Sequence, residues 1–232
     1  MKRFWKTAAA LPTAEGSYTV ALDGKPMRTP LKRPLVVPSL ALAEAIAAEW
    51  NAQPKDVKAE NLMLTRFANT AVDRVADLRD EVVAEMAGWA GTDLVSYRAT
   101  EPEELIARQA AAWDPWVEWL RRRFDVELRV TQGLMPIAQA DTTVVRMGLV
   151  LAAKSDPELA ALHTLVGTLG SLVLALAVAE GELALEEAWA ASRIDDDFQI
   201  EKWGPDEEAA ARAANMRADL GHAHRFLSLL GT

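Results

Sequence analysis

The sequence predicts an α+β fold, a small N-terminal β-hairpin domain followed by a larger, mainly α-helical domain, and three observations carry that prediction. Alternating apolar residues and turn dipeptides are confined to residues 16–38. From Ser39 onward the apolar residues recur at threes and fours, the helical spacing. Half of the 232 residues are apolar and a quarter charged, a balance that lets a chain of this length bury roughly 70% of its unfolded surface. The division expected is residues 1–38 for the β-rich domain, its boundary extending as far as about residue 60, and residues 39–232 for the helical domain.

Tyr18, Val20 and Leu22 alternate with Thr19 and Ala21, and Asp23-Gly24 is the dipeptide favoured in a two-residue hairpin turn. Pro26 and Pro30 lack backbone donors, so the returning segment is expected at an edge. Leu35–Val37 reads as a further short strand. Ser39 is placed to cap a helix whose face holds Leu42, Ile46 and Trp50. Leu64, Phe67, Ala68, Ala71, Val72 and Val75 mark the next helix, and Asp77 is a candidate cap for a third through Met86 to Gly91. Pro102 opens a long stripe from Leu105 to Phe124, which Pro115 should kink or break. Glu127–Thr131 reads as a short strand or link, and helix resumes near Asp141 to about Ala153. Leu159–Ala179 is the most apolar run, long enough to raise a membrane span. Its many alanines, the absence of interfacial aromatics and the acids at both ends predict a buried central helix instead, with Gly167 and Gly170 allowing close approach. Pro205-Asp206 precedes a last helix. The leading Lys2, Arg3 and Ala8–Leu11 are too brief for a secretory leader, and no export is expected.

The chain has no Cys, so disulfides, thiolate metal sites and Cys nucleophiles are excluded. Net charge is −9 but uneven. Residues 1–34 hold Lys2, Arg3, Lys6, Lys25, Arg28, Lys32 and Arg33 against Glu15 and Asp23, leaving the remainder strongly acidic. An acidic body argues against nucleic-acid binding, and the basic residues are expected to pair internally. Of the three His, His163 reads as a core histidine, while His222 and His224 project about 200° apart on a helix and cannot share a metal there. Asp195, Asp196 and Asp197 are consecutive, so on a helix they fan outward and read as a solvated face rather than a metal site. Phosphate loops, dinucleotide turns, nucleophile elbows and HExxH pairs are missing. No catalytic residue, cofactor, metal or small-molecule substrate is expected.

Eight Trp point elsewhere, because Trp is over-represented where proteins anchor to one another. Trp50, Trp89 and Trp113 are expected in the core, and Trp203, beside Gly204-Pro205, at a surface. In the stretch from Glu186 to Gly204, Trp189, Arg193, Asp196, Ile200 and Trp203 share one helical face, with Ile194, Phe198 and Glu201 near the other. Large side chains on both sides leave two readings: a break at Asp195–Asp197, or a second contact.

The segments RFWK (Arg3–Lys6), LDGKPMRTP (Leu22–Pro30), AIAAEW (Ala45–Trp50), LTRFANTAVDR (Leu64–Arg74), DLVSYRA (Asp93–Ala99), RQAAAWDP (Arg108–Pro115), LHTLVGTLGSLVLALAVAEG (Leu162–Gly181) and EAWAASRIDDDFQIEKWG (Glu187–Gly204) follow one another in an order that resembles the ATP12 family of F1-ATPase assembly chaperones. The chain departs from the family pattern in carrying Asp196 and Asp197, where Glu is frequent, and the bulky Trp116. The resemblance implies a small β domain on a helical one. It further implies a protein that holds the unassembled F1 α subunit of ATP synthase until the β subunit replaces it. On that basis Arg193, Asp196, Asp197, Phe198, Ile200, Glu201 and Trp203 are the expected partner-binding residues. The rival expectations are a carboxylate- and metal-dependent enzyme, or a permanent adaptor subunit. The expected location is a bacterial cytoplasm, or the mitochondrial matrix for a processed eukaryotic form.

Overall fold

The computed structural model describes residues 2–133 and 135–231. It is α+β, with a small antiparallel sheet near the N-terminus and helices thereafter. Two compact units are formed, one from residues 1–79, 155–161 and 222–232 and the other from residues 80–154 and 162–221.

In the first unit, β1 (Ala8–Pro12) pairs antiparallel with β2 (Tyr18–Leu22), which also pairs with β3 (Lys25–Pro26) and β4 (Val36–Val37). The turn at Asp23-Gly24 has φ of 47° and 81°, the left-handed pair that a tight hairpin requires. β1 lies outside residues 16–38, to which the sequence reading confined the strands. Small residues carry no period-2 signal, yet this segment pairs along its whole length. Helix α1 (Leu40–Asn51) secures it: the Asn51 side chain accepts from Ala8 N and donates to Ala8 O, both at 2.8 Å. Ser39 caps α1 by accepting from Leu42 N, and Leu42, Ile46 and Trp50 are buried. Trp50 meets Trp5 at 4.7 Å between ring centroids and donates to Thr65 Oγ1. α2 (Met63–Thr70) continues into a π-helical turn at Ala71–Val75. Asp77 is bound by Arg33, an internal pairing of the basic N-terminal residues, and α3 starts two residues later.

In the second unit, α3 (Arg79–Gly88, its Arg79 belonging to the first unit), α4 (Glu103–Phe124) and α5 (Asp141–Ala152) precede α6 (Asp156–Leu169, its residues 156–161 belonging to the first unit) and α7 (Leu172–Ala179). Pro115 does not break α4. The carbonyl that loses its donor is that of Ala111, an exposed residue, so it is not left in an apolar interior. Two short parallel strands, β5 (Tyr97–Arg98) and β6 (Thr131–Gln132), flank α4 in sequence.

The apolar run Leu159–Ala179 is two helices rather than one. Gly170 takes φ +65°, and Ser171 caps α7 by accepting from Leu174 N. Asp93, fully buried, accepts from Leu172 N at 2.8 Å and Val173 N at 3.1 Å, occupying the remaining free donors of the new helix start. Every residue from Leu172 to Val178 is buried, so α7 forms the unit's centre. Gly167 meets no neighbour that its lack of a side chain admits. His163 is exposed, with Nε2 3.4 Å from Glu85 Oε1, and is not a core histidine. Among the described residues no helix is long and apolar enough to cross a membrane.

Candidate functional site

Helix α8 (Leu185–Ser192) ends at Arg193, whose φ of −108° and ψ of 5° leave the helical region, and α9 (Ile194–Trp203) begins on the next residue. The break therefore falls at Arg193, two residues before the acidic run. It is held by two polar bonds, one buried and one part-buried: Trp113 Nε1 donates to Ala191 O at 2.8 Å and Gln109 Nε2 to Asp195 Oδ1 at 2.6 Å. The Asp residues then occupy the first turn of α9, where carboxylates face the positive end of the helix dipole. Gly204, at φ +87°, stops α9 after Trp203.

Each expected site residue now has a place. Arg193 is ion-paired with Asp196 and lies 5.6 Å from the Trp189 ring centroid. Phe198 is the one buried residue of α9, with the Arg108 guanidinium at 5.4 Å and Lys202 Nζ at 4.9 Å from its ring centroid. Cations over an aromatic face are favourable by about 0.5–2 kcal/mol, so Phe198 gathers Arg108 of α4 and Lys202 of α9 about one ring. Arg108 in turn bridges Glu201 at 2.8 Å and Glu104 at 2.7 Å, and Lys202 adds Glu104 at 3.4 Å. The Arg108 hydrogen bond keeps the Glu201 carboxyl below the usual range.

Three exposed residues of the set, Asp197, Ile200 and Trp203, stand outside the ion pairs. Asp197 makes no ion pair among the described residues; burial pushes its carboxyl up, with Arg193 opposing and Asp196 and Glu201 reinforcing. Ile200 is exposed, and Trp203 is 78% exposed. The face thus has two apolar side chains, one acid outside the ion pairs and an ion-paired frame beside them. Trp50 and Trp113 are buried, whereas Trp89 is half-buried.

Sequence reasoning missed the frame. Arg108, Glu104 and Gln109 lie on α4, far from α9 in the chain, and only the fold brings them together. The i, i+4 pair of Glu104 and Arg108 was a local signal for a solvated helix face. Among the described residues no group of three or more His, Asp or Glu side chains is gathered as a metal would need.

The helix end displays a solvated indole above side chains most of whose charges are paired within the protein. The ATP12 chaperone protein family profile matches residues 2–121, and the chain belongs to this family. The chain is 42% identical to Atp12 of Paracoccus denitrificans, whose crystal structure superposes with a TM-score of 0.94 over 99% of this chain and 98% of that one. A point variant of the Paracoccus protein gives a TM-score of 0.95 at 41% identity and the same coverage. The mitochondrial protein atp12 of Schizosaccharomyces pombe is 26% identical over 220 residues, 90% of this chain and 75% of that protein.

Proposed function

We propose that this chaperone, acting in F1-ATPase assembly as an ATP12 family member, takes the unassembled F1 α subunit as its client and docks it at the α9 face. The observation that carries the reading is Trp203, nearly free of protein contact on a well-formed helix. A subunit awaiting assembly exposes apolar surface that self-associates, and shielding it requires apolar anchors that later let go. Trp203 and Ile200 serve as the anchors, and Asp197 meets a base of the client. Arg193, Asp196, Phe198 and Glu201 fix the helix from which they project. Rim charge of this kind sets approach rate and register more than affinity, leaving release to competition by the β subunit. The location is the bacterial cytoplasm, or the matrix for a mitochondrial form.

The test is suppression of aggregation of purified F1 α subunit at equimolar chaperone. Trp203→Ala, which removes no internal contact of consequence, is expected to fold normally and weaken protection at least tenfold, because hot-spot truncations cost about 2 kcal/mol or more. Full protection by Trp203→Ala combined with Ile200→Ala would refute docking at this face.

A further inference from the structure

The α8–α9 break is gripped from one side of α4. Trp113 Nε1 donates to Ala191 O just before the break, and Gln109, one turn earlier on α4, holds Asp195 just after it. Gln109 is the polar member of the buried side of α4 and is 1% exposed. Both ends of its amide are in use: Oε1 accepts from Ala99 N at 2.8 Å and Nε2 donates to Asp195 Oδ1. This orientation is forced, because a backbone N–H only donates and a carboxylate only accepts. A Glu at this position keeps the bond to Ala99 but sets a second carboxylate against Asp195. An apolar side chain leaves both partners unpaired.

The rotation of α9 about its own axis follows from where it is held. Asp195 and Phe198 are three residues apart and so lie on one side of the helix. Both are engaged from α4, Asp195 by Gln109 and Phe198 by the guanidinium of Arg108. At about 100° per residue, Ile200 and Trp203 project about 160° and 140° away from Phe198. Both are exposed there. Glu201 and Lys202 are also tied to α4, but by solvent-exposed ion pairs that salt screens. The part-buried Gln109 bond, with a neutral donor, is screened far less.

We infer that Gln109 is a positioning residue for client docking: through Asp195 it sets the rotation of α9 that turns Ile200 and Trp203 toward the client. The inference rests on the α9 reading and gives a role to a residue that is buried and does not itself meet the client. The three consecutive acids then divide their tasks. Asp195 serves the frame, Asp196 pairs with Arg193, and Asp197 is the one offered outward.

The experiment uses the whole chain and fluorescently labelled F1 α subunit, with affinity read by anisotropy and amide hydrogen exchange followed in α9 and α7. Gln109→Glu and, separately, Asp195→Ala are expected to weaken binding about fivefold or more, the bond being to a charged group. Exchange in α9 is expected to quicken while α7 stays protected, because opening is local. Gln109→Glu combined with Asp195→Asn rebuilds the bond with donor and acceptor exchanged, and is expected to return affinity to within about threefold of wild type. A purely structural role would instead cost α7 and α9 their protection to the same extent. Wild-type binding by both single variants, an exchanged pair that folds without restoring binding, or equal loss of protection in α7 and α9 of Asp195→Ala would each overturn the inference. Where Gln109→Glu does not fold, Asp195→Ala and the exchanged pair decide the matter. Trp203→Ala with Ile200→Ala is the reference: full binding there overturns the α9 reading and this inference with it. Loss there beside wild-type binding by both single variants overturns the role of Gln109 and leaves the α9 reading standing.

Discussion

Asp93 shows how one buried carboxyl ties chain geometry to pH. It accepts from Val95, Leu172 and Val173 backbone donors, and burial pushes its pKa up to about 6 from 3.8. Burial outweighs the hydrogen bonds that favour ionisation. The folded state therefore binds more protons than the unfolded one between those values. The contribution is fully present below the unfolded value and is lost as pH rises through about 6. Between pH 7.5 and 5, denaturant titrations should show the wild type gaining about 1 kcal/mol relative to Asp93→Asn, which cannot titrate. Equal pH dependence in the two proteins would contradict the assignment. Glu180 acts in the opposite sense. Burial alone would raise its carboxyl, but Lys154 and Arg123 hold it below the ordinary range, so its contribution is lost only on acidification through that lowered value. Trp203→Ala should change unfolding stability by less than about 0.5 kcal/mol, as surface substitutions do. A larger loss in a thermal melt would show that Trp203 packs internally.

Helix boundaries are where the sequence reading and the structure part company, and the reasons are physical. The break in the run Leu159–Ala179 depends on Asp93, distant in the chain and supplying helix-start acceptors that no local pattern reveals. The local clue was Gly170-Ser171, a left-handed residue followed by a capping residue, in a stretch apolar enough to hide it. Ser171→Ala should cost about 1–2 kcal/mol, since its Oγ is a buried cap. Gly170→Ala should cost about 1 kcal/mol from its positive φ alone, as the nearest foreign atom to an added Cβ, Leu94 Cβ, is 4.0 Å away. Chemical denaturation checks both, and unchanged midpoints would contradict the two-helix geometry. The helical faces of α1 and α4 and the Asp23-Gly24 hairpin were legible because their apolar period and turn chemistry are local. At α9 the sequence marked Trp203, Ile200 and the acids, but the Arg108 frame needed α4 and α9 to be side by side. Arg108→Ala should therefore loosen Glu201 and Phe198 together, lowering client affinity at least threefold while leaving Trp203 in place; an unaltered affinity would make the frame irrelevant to docking.

Over the whole molecule, the α+β order follows from where turn residues and apolar periods fall, and membership of the ATP12 family gives that architecture its role as a chaperone. The net charge of −9 is consistent with a protein that stays dispersed while carrying an exposed indole. Shielding an unassembled subunit requires affinity for the free form and none for the finished assembly. The most direct measurement is affinity capture on the immobilised full chain, loaded with equal amounts of free F1 α subunit and assembled F1. Free F1 α subunit is expected to be retained, assembled F1 to pass through, and added β subunit to elute the bound α subunit. Retention of assembled F1 equal to that of the free subunit, or no retention of the free subunit, would contradict it.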